Sequence, residues 1–237
     1  YVGLNNGILD QACVVLCESD KLLYLDTETG EYRLIPFGGD NPKPLPFKLG
    51  IFFSGVTRQL TGTDYNLRVS ECKTAAWIIE AYEGEHLKEL SDTRLRDVTK
   101  ASFEKNAAMM PKRFARRAKH FFSECERVKK GVKAWEDGNI ELFGKYVFES
   151  CESSMNNYEC GSPELISLYN IMRNTDGIYG GRFSGAGFKG ACIALVDPAK
   201  LDSVRETVRR EYLAQYPQYD SSFEIFFCNP ANGVDFL

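Results

Sequence analysis

Apolar residues along the chain follow two spacings, one typical of strands and one typical of helices. Residues 21–26 and 31–37 are short apolar runs separated by the turn sequence Thr-Glu-Thr-Gly at 27–30, which predicts a β-hairpin. Further strands are predicted at 47–54, 191–196 and 223–228. Five strands are therefore expected, two of them paired through a tight turn.

Longer segments carry apolar side chains at steps of three and four residues, the spacing of one helix face. These segments are 64–83, 111–137, 140–150, 162–173 and 198–215. Pro111 suits the first turn of the longest segment, and Gly138 suits its end. Ser162 followed by Pro163 is typical of a helix N-terminus. The order of elements predicts an α+β fold in which helices pack on an antiparallel sheet.

Composition places the chain among globular proteins and argues against two classes of function. The 237 residues are 43% hydrophobic and 26% charged, which suits one large domain or two small ones. The net charge of −4 argues against a nucleic-acid partner. No apolar run reaches the ~18 residues that a membrane span needs. The Gly- and Pro-rich stretch 38–46 favours a loop or a domain boundary.

Cysteine and histidine usage argues against a metal site. Eight cysteines are spread along the chain without a CxxC pair, and the two histidines are His86 and His120. Zinc sites need Cys and His ligands at characteristic spacings, so no metal ligand is predicted in this chain. We expect reduced, mostly buried thiols in a cytoplasmic protein.

One acidic residue near the start of the chain has the strongest chemical signal. Asp10 stands in the sequence Gly-Leu-Asn-Asn-Gly-Ile-Leu-Asp-Gln, directly before the apolar run 12–16. This setting predicts a buried or half-buried carboxylate, and such a group needs a partner or a chemical task. The usual task is to orient a hydroxyl group and accept its proton.

A second candidate is the stretch 180–190, which holds five glycines together with Arg182 and Lys189. Gly185, Gly187 and Gly190 match G-x-G-x-x-G, but a dinucleotide site needs a strand before this motif and a helix after it. Here a strand follows, and 177–182 is not expected to be a strand. The loop permits close approach of an anion or of another backbone, so an anion site and a tight structural loop both stay open.

Two further features have ordinary structural explanations. Six basic residues, Lys112, Arg113, Arg116, Arg117, Lys119 and His120, interleave with the apolar stripe of a helix. A solvated helix face is favoured over a nucleic-acid contact. Tyr65 begins a predicted helix, where capping and a binding role remain equally open.

Four motifs in the same order along the chain resemble the galactokinase branch of the GHMP sugar kinases. The motifs are VGLNNGILDQ, SGVTRQLTGTDYNLRVSEC, RRAKHFFSECERV and GGRFSGAGFKGACIALV. The resemblance extends over nearly all 237 residues. It implies a GHMP kinase C-terminal domain, ferredoxin-like, at 47–237, preceded at 1–46 by the end of the N-terminal nucleotide-binding domain.

Within that branch the motifs are closer to the galacturonokinases than to the galactokinases. Galactokinases usually have Met where Leu9 stands, and GGGFGG where this chain has SGAGFKG. The segment NYECGSPELISLY points the same way. The resemblance therefore implies ATP-dependent phosphorylation of the anomeric hydroxyl of D-galacturonic acid. D-Galactose as substrate and a catalytically silent sugar sensor remain the alternatives.

The resemblance also assigns roles to individual residues. Asp10 matches the catalytic carboxylate. Gly7, Tyr65 and Arg182 are implied sugar contacts, and Gly185, Ala186 and Gly187 support the phosphate-binding loop. A uronate carboxylate needs a cationic partner, for which Arg58, Arg68, Arg182 and Lys189 are candidates.

The remaining expectations concern the whole protein. The phosphate-binding loop and the ligands of Mg²⁺ are expected upstream of Tyr1, so the chain is expected to be a fragment that is inactive alone. The implied partners are the sugar and ATP, with no nucleic acid and no membrane. The protein is expected to be a monomer.

Overall fold

A computed structural model describes residues 7–56 and 64–234 of the chain. The helices in these ranges are α1 (Leu9–Leu16), α2 (Tyr65–Glu83), α3 (Lys100–Asn106), α4 (Lys112–Glu136), α5 (Ile140–Ser153), α6 (Pro163–Asn174) and α7 (Leu201–Gln215). The strands are β1 (Lys21–Leu25), β2 (Tyr32–Pro36), β3 (Lys48–Phe53), β4 (Ile178–Phe183), β5 (Ala191–Val196) and β6 (Glu224–Cys228). One π-helical turn, Ser154–Tyr158, extends α5.

Four of the strands form one antiparallel sheet in the order β4-β5-β3-β6. Helices α2 to α6 lie between β3 and β4 in the sequence, and α7 lies between β5 and β6. This is the split β-α-β arrangement repeated twice, which defines the ferredoxin-like fold. The predicted α+β class, with helices on an antiparallel sheet, is confirmed.

One face of this sheet holds the main core. Phe52, Cys192, Val196 and Ile225 point toward α6 and α7 and are at least nine-tenths buried. The opposite face packs on α5, and its side chains Leu49 and Leu195 share a core with Trp135 of α4 and Ile35 of the β1–β2 hairpin. Apolar side chains alternate between the two faces because successive strand residues point to opposite sides.

The predicted β-hairpin forms and packs against α4 and α5. β1 and β2 pair antiparallel, with Leu23 opposite Leu34. Trp135 of α4 donates a hydrogen bond from its indole N–H to the carbonyl of Ile35, at 2.9 Å. Residues 21–37 therefore share a core with α4 and α5. The domain boundary predicted near residue 46 stays a prediction.

Most predicted elements are found close to their predicted positions, but three differ. The segment 177–182 was not expected to be a strand, and this expectation is wrong because β4 spans Ile178–Phe183. Its two glycines lower strand propensity, yet they lie where helices cross the sheet. Helix α3 was not predicted, although Thr99 caps it by accepting a hydrogen bond from the N–H of Ser102. Helix α1 occupies residues expected to be a turn and an apolar run.

Helix α5 crosses β4 where two glycines meet, and this contact leads to a stability prediction. A Cβ on Gly144 would lie 2.1 Å from the carbonyl oxygen of Tyr179, and one on Gly180 would lie 2.4 Å from that of Gly144. Gly144→Ala is expected to lower the free energy of unfolding by about 2 kcal/mol or more, because backbone must move to admit the methyl group. Urea denaturation measures the change.

Gly131→Ala in α4 is the matched control for this prediction. A Cβ there meets nothing closer than 3.7 Å, and alanine is the better helix former. Gly131→Ala is expected to raise the free energy of unfolding by up to about 1 kcal/mol. Equal unfolding midpoints for the two variants would contradict the close helix–strand crossing.

Candidate functional site

Asp10 lies in the first turn of α1 and is exposed. It forms no hydrogen bond or ion pair with the residues that the structure describes. The expectation of a buried or half-buried carboxylate is therefore wrong for this chain. Its surroundings explain the difference, because Leu9, Val14 and Val15 are also exposed, and Ala12 is the one residue of α1 that is buried.

Helix α1 is held by the segment that follows β6. The N–H of Val234 donates to the carbonyl of Val14, and that of Gly233 donates to the carbonyl of Cys17, both at 2.7 Å. A Cβ on Gly233 would lie 2.5 Å from the Val14 carbonyl oxygen, so a larger residue does not fit. Asp10 therefore sits on a helix that is fixed to the C-terminal part of the chain.

Tyr65 is the first residue of α2 and is half-buried. Among its electrostatic neighbours is Tyr158, at the end of the π-helical turn. Burial, followed by the proximity of Cys72, Cys160 and Tyr65, holds the pKa of Tyr158 well above its usual range. Tyr65 and the π-helical turn therefore belong to one neighbourhood.

The glycine-rich loop connects β4 and β5 and reaches the same neighbourhood. Gly185 and Gly187 adopt positive φ angles of 62° and 73°, which glycine reaches without strain. A Cβ on Gly187 would lie 3.4 Å from the Cβ of Cys160, directly after the π-helical turn and Glu159. Ala186 is half-buried between these two glycines. The loop is therefore stacked on the corner at residues 159–160.

The end of β3 anchors the other end of this loop. Both the N–H and the hydroxyl of Ser54 donate to the carbonyl of Gly190, at 2.9 and 2.7 Å. The hydroxyl of Tyr212 donates in turn to the carbonyl of Ser54, at 2.8 Å. Residues 57–63 of the implied sugar-contact segment, including Arg58, lie outside the described residues.

A buried ion-pair network joins α2, α4 and the corner at 159–160. The guanidinium of Arg117, which is fully buried, donates to Glu71 at 2.6 Å, to Glu159 at 2.5 Å and to the carbonyl of Asn157 at 2.6 Å. Burial alone would lower the pKa of Arg117, but the hydrogen bonds to Glu159 and Glu71 raise it overall. The same bond from Arg117 lowers the pKa of Glu159.

Arg68 belongs to the same network and is 7% exposed. It donates to Glu71 at 3.3 Å and to the carbonyl of Glu159 at 3.2 Å. Glu159 adopts a left-handed φ of 60°, which costs free energy for a residue with a side chain. Three arginines, Arg68, Arg116 and Arg117, contact it and hold that conformation.

The network corrects the interpretation of the basic cluster on α4. The interpretation as a solvated helix face is correct for four exposed residues, Lys112, Arg113, Arg116 and Lys119. It is wrong for Arg117, whose counterion, Glu71, is 46 residues upstream and has no local signal in the sequence. Sequence reasoning also missed Glu159, although the segment that contains it supported the resemblance.

His120 is the second exception in the basic cluster. Its Nδ1 lies 2.9 Å from the hydroxyl of Ser153, and its ring lies 4.8 Å from that of Tyr158. Burial, with Arg182 and Arg127 nearby, lowers the pKa of His120 to about 4. His120 is therefore neutral at physiological pH and contributes packing instead of charge.

Arg182 is on β4, and its side chain points toward α5. Its Nη1 donates to the hydroxyl of Ser150 at 2.6 Å. Burial lowers the pKa of this guanidinium. The cavity that it lines contains none of residues 184–190 between β4 and β5 and does not include Gly7, Asp10 or Tyr65. The sugar contact implied for Arg182 stays a prediction.

Three structural observations bear on the remaining expectations. Within 7–56 and 64–234, no group of three His, Cys, Asp or Glu side chains is placed to hold a metal ion. None of the helices in the described ranges has the length and apolar character to cross a bilayer. All eight cysteines are free, but only Cys151, Cys160 and Cys192 are buried, so the expectation of mostly buried thiols is wrong.

Comparison with known proteins bears on the fold and the family. Residues 128–214 match the family described as GHMP kinases C terminal. The crystal structure of Lactococcus lactis galactokinase complexed with galactose is similar, with a TM-score of 0.83 at 27% sequence identity. The match covers 100% of this chain and 57% of that one.

Two relatives extend the similarity to sequence. Galacturonokinase from Arabidopsis thaliana is 42% identical over 221 residues, which is 92% of this chain and 50% of that protein. Galactokinase from Staphylococcus saprophyticus is 32% identical over 216 residues, which is 90% of this chain and 52% of that protein. The chain thus spans about half the length of the curated relatives it matches. Its fold and these similarities show that the chain belongs to the GHMP kinase family and contains that family's C-terminal domain.

Proposed function

We propose that the protein containing this chain is an ATP-dependent sugar kinase that phosphorylates the anomeric hydroxyl of D-galacturonic acid. The observation that carries this proposal is the 42% identity to a galacturonokinase over 92% of the chain, against 32% to a galactokinase. Tyr65 is an electrostatic neighbour of Tyr158, and Gly187 lies against Cys160 two residues later; this proximity supports a sugar site near them.

Asp10 is the proposed base in this reaction. Phosphoryl transfer needs an alcohol held in line with the γ-phosphate and a group that orients it or takes its proton. An exposed carboxylate at the start of α1, beside exposed Leu9, Val14 and Val15, is suited to this role once another surface covers it. We propose that the rest of the complete protein covers this face and leaves Gly7 in contact with the sugar.

ATP is the proposed phosphoryl donor, with Mg²⁺ as its counterion. The described residues contain no cluster that fits a magnesium ion, so no catalytic step is assigned to the metal here. We assign the phosphate-binding loop and the magnesium ligands to residues outside this chain, and Gly185, Ala186 and Gly187 to support of that loop. On this proposal the 237 residues alone do not turn over.

A sugar panel tests the substrate assignment. The complete protein, given ATP and either galacturonate or galactose in an ADP-coupled assay, is expected to show kcat/KM about tenfold or more higher for galacturonate. We expect this ratio because the free energy of one charged hydrogen bond to the C6 carboxylate corresponds to about a tenfold change in kcat/KM. A preference for galactose would contradict galacturonate as the substrate.

A silent sugar-binding homologue is the alternative from another class. It would bind sugar in calorimetry and show no ATP-dependent turnover with any member of the panel. Asp10 favours the enzyme, because a sensor does not need a carboxylate beside the sugar hydroxyl.

A further inference from the structure

Arg182 is a cation that lies against a cavity without an acidic partner. No carboxylate among the described residues lies within 4 Å of its guanidinium; its hydrogen bonds there go to the hydroxyl of Ser150 and to the carbonyl of Phe183. Its Nη2 donates no hydrogen bond to any of the described residues. A desolvated cation without a counterion is costly, so an anion bound beside it would be stabilising.

The neighbouring charges do not compensate Arg182. Glu124 is engaged on both oxygens, one with Arg127 and one with the hydroxyl of Ser150 at 2.7 Å. Arg127 also has a second carboxylate, Glu149, at 3.7 Å. Glu124 and Glu149 therefore both pair with Arg127. The guanidinium of Arg182 has no carboxylate partner among the described residues.

The cavity beside Arg182 lies between the β1–β2 hairpin, α4 and α5 and has a volume of about 250 Å³. Its walls are mainly apolar and aromatic, including Leu22, Tyr24, Val132, Phe143 and Val147. Four of its polar side chains, Arg127, Glu124, Ser150 and Arg182, form one chain of hydrogen bonds. Small-molecule sites have this combination of apolar walls and a few convergent polar groups.

We propose that this cavity binds a small aromatic carboxylate, with the ring between the hairpin and α4 and the carboxylate paired with Arg182. On this proposal Arg182 serves this cavity and not the sugar, because Asp10, Tyr65 and residues 184–190 do not line it. The proposal goes beyond sugar phosphorylation and does not depend on it.

A titration with two matched probes tests the site on the full chain. 4-Fluorophenylacetate and its neutral amide, 4-fluorophenylacetamide, are each titrated and followed by ¹⁹F NMR. The acid is expected to bind saturably, and the amide at least about tenfold more weakly, because only the acid makes charge-assisted hydrogen bonds to Arg182. Equal binding of the two probes, or no binding of the acid, would overturn the proposal.

Two variants and one control variant separate this site from non-specific binding. Arg182→Gln is expected to reduce acid binding to the level of the amide, whereas Arg210→Gln, a change to an exposed arginine of α7, leaves it unchanged. Gly131→Leu places a side chain in the cavity from the middle of α4, where a Cβ meets only Phe143 at 3.7 Å. It is expected to abolish binding of both probes while the thermal unfolding midpoint is kept.

The Gly131→Leu variant keeps the test decisive if Arg182→Gln fails to fold. Acid binding that survives Gly131→Leu would place the ligand elsewhere and reject the cavity. Galacturonate is added as a competitor and is expected not to displace the acid. Displacement would assign Arg182 to the sugar and overturn the separate site, whatever the outcome of the kinase assay.

Discussion

Asp10→Asn is expected to lower kcat of the complete protein by about 10²–10⁴-fold while sugar binding persists. The amide keeps the size of the side chain but cannot accept the proton of the attacking hydroxyl, and a positioned base contributes about this factor. Steady-state turnover in an ADP-coupled assay, with sugar affinity measured by calorimetry, separates the two effects.

Asp20→Asn is the matched control for this experiment. Asp20 is also exposed and has a φ of 62°, a conformation that Asn adopts readily. Its substitution is expected to leave turnover unchanged. Near-normal turnover in Asp10→Asn would reject Asp10 as the base, and loss of sugar affinity alone would assign it a binding role.

Arg117→Met is expected to destabilise the fold by about 3–5 kcal/mol, the usual cost of removing one partner from a buried ion pair. Glu71, which is 3% exposed, would keep its charge and lose its shortest hydrogen bond. Glu159 would also lose the bond that helps to hold its left-handed conformation. The free energy of unfolding in urea measures the effect.

Arg113→Met provides the control from the same helix. Its side chain is 63% exposed and lies 3.5 Å from Glu71, so a change below about 1 kcal/mol is expected. Arg117→Lys is expected to recover only part of the lost stability, because one ammonium group cannot reproduce the planar fork that reaches three acceptors. Equal unfolding free energies for Arg113→Met and Arg117→Met would contradict the buried network.

The sequence motifs proposed candidate residues but did not predict the side chains that surround them. Tyr65 interacts electrostatically with Tyr158, and Gly187 lies against Cys160; that they form one sugar site stays a prediction. The partners that hold this corner, Arg117 and Glu159, were not predicted. Helical spacing predicts which residues share one face of a helix. Which carboxylate pairs with a buried arginine depends on how the helices pack against each other.

Local chemistry in the sequence was sufficient for the hairpin, for α4 and for α6, whose start is fixed by Ser162 and Pro163. These elements are encoded by turn residues, caps and apolar spacing, which act over a few neighbouring positions. Strand β4, the burial of Arg117 and the exposure of Asp10 were decided by tertiary structure alone. Each depends on contacts between residues far apart in sequence, such as Gly144 with Gly180 and Arg117 with Glu71, and a linear pattern carries no information about such distances.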